Sequence, residues 1–161
     1  STPVLILQCE KILGGQEMMR NGNPLLIVED NETDILCLKE AFEKKGVGKA
    51  ILTASNGEEA LTYLKVGESD YEGRIPNLIL LDLNMPIMNG FEFLDAVKSD
   101  PRLKAIPVVV LTSSTSPVDM NDSYRNCVAG YIEKPLDPDG YLDLVSVLDQ
   151  YWTLNYLPTI N

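Results

Sequence analysis

Four short, mostly apolar runs are each followed at once by residues that can do chemistry. Leu25 to Val28 runs into Glu29-Asp30-Asn31, and Leu78 to Leu81 into Asp82-Leu83-Asn84. Val108 to Leu111 runs into Thr112-Ser113-Ser114, and Gly130 to Glu133 into Lys134-Pro135. The set is acids, an acid, hydroxyls and a cation. If the fold gathers them, Glu29, Asp30 and Asp82 form a hard oxygen site suited to Mg2+, which keeps several waters and needs few protein ligands. Two like charges about 4 Å apart repel by roughly 4 kcal/mol at an effective dielectric of about 20, so such a cluster requires a cation, Mg2+ or Lys134. A phosphoryl group attached to Asp82 would carry a charge approaching about −2. Its three oxygens would offer positions to the metal, to Lys134 and to the Thr112 hydroxyl.

Composition removes several other chemistries. The 161 residues include no histidine, so Ser-His and Cys-His triads, histidine metal cages and a phosphohistidine donor on this chain are excluded. Thirteen basic against 24 acidic side chains give a net charge of −11, which repels polyanions and argues against nucleic acid or an acidic membrane as a partner. Cys9, Cys37 and Cys127 are odd in number and lack CxxC spacing, which fits a reducing cytoplasm, with Cys37 and Cys127 as small apolar fillers. No apolar run is long enough for a membrane span or suitably flanked for an export signal. Two adjacent acids after the first run also count against a nucleotide-binding turn, which needs glycines and backbone donors there.

The elements that must position these groups follow from the alternation of apolar runs with segments of helical period, which predicts βαβ units around a parallel sheet. Buried strands are expected at Leu25–Val28, Ala50–Ala54, Leu78–Leu81, Val108–Leu111 and Gly130–Glu133. Glu32 to Lys45 places Ile35, Leu38 and Phe42 on one face and stops at Gly46. Further helices are expected after Asn56-Gly57, from Gly90 to Ser99, from Val118 to Asn126 behind Ser116-Pro117, and after Asp137-Pro138 with Tyr141, Leu144, Val145, Leu148 and Trp152 in phase. Right-handed crossovers leave a flavodoxin-like (βα)5 three-layer sandwich with strand order 2-1-3-4-5, and its ligands belong at the strand C-terminal ends.

The array Glu29-Asp30, Asp82, Thr112 and Lys134-Pro135 resembles the receiver domain of two-component response regulators, over residues 24 to 152. The stretches LILLDLNMP, SDPRLKAIPVVVLTSS, KPLD and YWTLNYLP are similar to small stand-alone regulators that partner bacteriophytochromes. The resemblance implies that Asp82 accepts a phosphoryl group from a sensor histidine kinase, while Glu29, Asp30, Asp82 and the Asn84 backbone carbonyl hold Mg2+. It implies that Thr112, Ser113 and Lys134 bind the phosphoryl group, that Thr112 and Tyr131 form a switch, and that Ser114 and Pro135 border the site. Such a protein is not an enzyme acting on an external substrate, although it promotes its own phosphorylation and dephosphorylation. Its output is a protein contact on the face of the fourth helix, fifth strand and fifth helix, where a homodimer is also expected.

Each residue has a plainer reading. Asp82 alone is an ordinary turn acid, Glu29-Asp30 favour a helix N-terminus, Lys134 is a solvated lysine and Tyr131 a packing residue. Their joint placement after four strands carries the functional reading. A phosphatase using Asp82 as nucleophile is the enzyme alternative, but Asn84 stands where its second acid belongs. An interaction module that does not cycle is the other. Residues 1–23 have the composition of an extension ahead of the domain, which then occupies 24–161. The 26 residues after Pro135 suffice for one helix and an apolar tail of Tyr151, Trp152, Tyr156 and Leu157. That tail either pairs two copies or folds back onto its own domain.

Overall fold

The computed structural model describes residues 23–66, 75–155 and 157. The expected extension over residues 1–23 therefore lies, but for Asn23, outside the described residues, as does Tyr156. The elements run β1 (Leu25–Val28), α1 (Glu32–Lys44), β2 (Ile51–Ala54), α2 (Gly57–Val66), β3 (Leu78–Leu81), α3 (Gly90–Ser99), β4 (Val108–Thr112), α4 (Pro117–Arg125), β5 (Gly130–Glu133) and α5 (Pro138–Leu154). All strand pairs are parallel and the order is β2-β1-β3-β4-β5, the flavodoxin-like topology expected.

Alternation of side chains along the central strands builds two cores. Leu25 and Ile27 of β1 pack with Leu38 and Phe42 of α1 and with Tyr141, Leu144 and Leu148 of α5. Leu26 and Val28 point the other way, to Ala60 and Leu64 of α2 and Phe93 and Val97 of α3. A strand with both faces covered has no use for polar side chains, hence the unbroken apolar runs.

Local signals fix the helix ends. Asn31 caps α1 by accepting from the Asp34 N–H. Gly46, at φ +64°, lets the chain reverse so that the Val47 N–H reaches the Phe42 carbonyl. Asn89 and Glu92 form a reciprocal capping box on α3, while Ser116 with Pro117 and Asp137 with Pro138 start α4 and α5.

Two expectations need correction, and one open alternative is decided at Trp152. β5 is not fully buried: Gly130, Tyr131 and Ile132 are half-buried and Glu133 is exposed, because β5 is the sheet edge and α4 buries only Ser123. Cys127 is no filler; it is exposed, in a left-handed turn at φ +61°. Trp152 is not free to pair two copies, since it is 3% exposed and stacks on Phe42 with ring centroids 5.8 Å apart. The tail thus folds back at this residue, and Tyr151 and Leu157 lean on the same core. Among the described residues no helix is long and apolar enough to cross a membrane.

Candidate functional site

The sheet ladder carries the reactive groups to one end of the molecule. β1 and β3 run in register, with Val28 opposite Leu81, so the next residues, Glu29 and Asp82, emerge side by side. The ladder continues one step past each strand, the Glu29 N–H bonding the Ala54 carbonyl and the Asp82 N–H the Val28 carbonyl. Lys134 is placed the same way, its N–H reaching the Thr112 carbonyl at 2.8 Å.

These side chains meet at a cleft of about 380 Å³ lined by Glu29, Asn31, Asp34, Asp82, Asn84, Ser113, Glu133, Lys134, Pro135 and Leu136. That space accommodates a phosphoryl group with an ion and waters. The Lys134 ammonium lies 2.7 Å from Glu29 Oε2, 2.8 Å from Asp34 Oδ2 and 3.4 Å from Asp82 Oδ2. Burial works against its charge, but the hydrogen bonds to Asp34 and Glu29 and the charges of Glu29 and Asp82 outweigh that, so its pKa is raised and the lysine stays cationic. Glu29 is pushed up to about 7, first by burial and then by the charge of Asp82, against the opposing hydrogen bonds from Lys134 and the Asn31 N–H.

Glu29, Asp30 and Asp82 each place one carboxylate oxygen within 4.8 Å of the others. Glu29 and Asp82 are buried while Asp30 is exposed, and all the donors are oxygen. A hard divalent cation with open water positions fits this set; a soft metal does not. The Asn84 N–H makes a long 3.4 Å contact to Asp82 Oδ1, which brings its backbone beside the Asp82 carboxylate.

The remaining expected residues divide between the cleft wall and the layer beneath it. Ser113 and Pro135 line it, but Thr112 is fully buried behind it. The Thr112 hydroxyl oxygen accepts the Ser114 N–H at 3.2 Å. Ser114 donates its own hydroxyl to Asp119 at 2.6 Å, and its carbonyl accepts the Tyr131 phenol at 3.0 Å. Ser114 therefore links Thr112 to Tyr131.

Two contributors escaped the sequence reading. Asp34 stands in the first turn of α1, where acids are common, yet it grips Lys134 and accepts the Tyr141 phenol at 3.4 Å. The Tyr141 pKa is pushed up to about 12, mainly by burial and then by the Asp34 charge, so its hydroxyl remains a donor. Gly90 looked like a mere helix start. A Cβ there would lie 2.5 Å from the Asp82 carbonyl oxygen and 2.6 Å from Leu83 Cα, so only glycine lets α3 come this close behind Asp82.

The response regulator receiver domain profile matches residues 25–146, most of the chain. The chain belongs to the response regulator receiver family. Among its relatives is the probable methanogenesis regulatory protein FilR2 of Methanothrix harundinacea, 40% identical over 129 residues that cover 80% of this chain and 82% of that protein. Response regulator Rcp1 of Synechocystis is 34% identical, over 84% of this chain and 94% of Rcp1. The phosphorylated cyanobacterial phytochrome response regulator RcpA superposes with a TM-score of 0.77 at 38% identity, covering 85% of this chain and 99% of RcpA. The Mn2+-bound form of Rcp1 superposes at 0.75 with 33% identity, covering 85% and 99%. Receiver domains accept phosphoryl groups and bind a divalent metal at an acidic pocket, and this chain carries an acidic cluster, Glu29, Asp30 and Asp82.

Proposed function

We propose that the Asp82 carboxylate takes a phosphoryl group from a phosphohistidine of a partner sensor histidine kinase. One Asp82 oxygen forms the new P–O bond as the P–N bond breaks, and the histidine nitrogen keeps the bonding pair and takes up a proton. The observation that carries this reading is a buried acceptor carboxylate facing an open cleft with a cationic lysine 3.4 Å away. Glu29, Asp30, Asp82 and the Asn84 carbonyl would hold Mg2+, which when bound supplies positive charge against the crowded carboxylates and the phosphoryl oxygens. Lys134 neutralises charge on the transferring group, and positioning does most of the remaining work, since such transfers pass through loosely bonded transition states. Ser113 offers a hydroxyl at the cleft wall.

Thr112 and Tyr131 form the switch. Turning the Thr112 hydroxyl toward the phosphoryl group breaks its bond with the Ser114 N–H, and Ser114 in turn holds the Tyr131 phenol. The change reaches the face of α4, β5 and α5, where Val118, Met120 and Tyr124 of α4 are exposed apolar residues available to a protein partner or a second copy. The likeness to RcpA, and to bacteriophytochrome response regulators such as RtBRR, supports a phytochrome-type kinase as the donor.

Incubation with Mg2+ and a small phosphodonor, read by intact mass, tests the acceptor. The wild type should gain one phosphoryl group and Asp82→Asn none; equal labelling of the two proteins would refute the assignment.

A further inference from the structure

A lysine ammonium has three N–H donors, and those of Lys134 face three carboxylates. The two short contacts, 2.7 and 2.8 Å, go to Glu29 and Asp34; the acceptor Asp82 has the long one. When Asp82 carries a phosphoryl group, the ammonium must close from 3.4 Å onto the new oxygens, and that movement stretches one of the two short contacts.

The surroundings single out Asp34. Glu29 is 4% exposed at its side chain, so stripping it of the lysine would leave a buried carboxylate short of its cation. Asp34 is 24% exposed and sits in the first turn of α1, where water and the helix N-terminus both support a free carboxylate. Its other oxygen accepts the phenol of Tyr141, which is buried at the start of α5. Asp34 is thus bonded both to the phosphoryl-binding lysine and to α5, the helix that packs against α1.

We propose that Asp34 is a competing anion that keeps Lys134 from closing fully on Asp82 until phosphorylation draws the ammonium off, and that its release is passed through Tyr141 to the start of α5. This rests on the acceptor reading of Asp82. It adds a second route out of the site, on the sheet face opposite to α3 and independent of the Thr112, Ser114 and Tyr131 chain. Losing the lysine leaves Asp34 to the Tyr141 hydroxyl, which tightens the long 3.4 Å bond and moves the first turn of α5.

The test uses the full chain and beryllofluoride with Mg2+, a phosphoryl mimic that needs no turnover. In the wild type, saturation should shift the Lys134 ammonium and the Tyr141 ring resonances together. Asp34→Asn, which keeps the shape but removes the competing charge, should shift the Lys134 resonance before any mimic is added and then bind the mimic about fivefold tighter or more. Unchanged or weaker binding by Asp34→Asn overturns the proposal. So does a Tyr141 ring that stays put while the wild type saturates, a readout that needs no variant. If the wild type neither binds the mimic nor is labelled at Asp82, the acceptor reading fails and takes this one with it; normal labelling with either negative result sinks only the role of Asp34.

Discussion

Lys49 is 2% exposed, at the end of the sheet away from the cleft, and it should make the protein more stable as the solution becomes alkaline. Its ammonium donates to Asn77 Oδ1 at 3.2 Å and lies 5.4 Å from the centroid of a Trp152 ring. Burial lowers its pKa from 10.5 to about 8. The folded state therefore binds this proton less tightly than the unfolded state does. Below pH 8 the folded chain carries the full penalty of a charge out of water, about 3 kcal/mol for a proton affinity lowered from 10.5 to about 8. Between pH 8 and 10.5 the folded lysine is neutral while the unfolded one is still charged, so the penalty fades and stability rises. Lys49→Met removes the titration, but it also strands the Asn77 oxygen and loses the contact to the Trp152 ring, each worth about 1 kcal/mol. At pH 7 the variant should be more stable than the wild type by about 1 kcal/mol. Denaturant unfolding of both proteins at fixed ionic strength, from pH 7 to 10, gives the difference in which other titrating groups cancel. The wild type should gain about 2 to 3 kcal/mol on the variant across that range. A difference that stays constant with pH, or that moves in favour of the variant, would show that Lys49 is not a charge confined to a dry site.

Two further outcomes concern the loop behind Asp82. Ile87 is β-branched, 75% exposed and held at φ +68°, so it gains little from burial and carries left-handed strain. Ile87→Asn should raise stability by about 1 kcal/mol in chemical denaturation; a loss would mean that the isoleucine makes contacts that outweigh its strain. Gly90→Ala should cost about 2 kcal/mol and slow labelling of Asp82, because the added methyl meets the backbone of Asp82 and Leu83. Unaltered melting and labelling would remove the close approach as a constraint on the acceptor.

The sequence alone determined most of the scaffold. Apolar runs such as Leu25 to Val28 and Leu78 to Leu81 have no polar alternation, so they belong inside a parallel sheet, and Asn31, Gly46, Ser116-Pro117 and Asp137-Pro138 punctuate the helices through purely local hydrogen bonds and dihedral preferences. Because strand ends in such a sheet converge, Glu29, Asp82 and Lys134 could be expected to meet from their positions in the chain. What the tertiary structure decided is which neighbours those groups find across the sheet and between helices. Asp34 and Tyr141 are 107 residues apart, and nothing local to either marks them as partners. The ban on a side chain at Gly90 comes from the backbone of Asp82 and Leu83, and the burial of Trp152 comes from Phe42 on another helix. Short-range preferences are written residue by residue; close approach between distant segments exists only once the layers have packed.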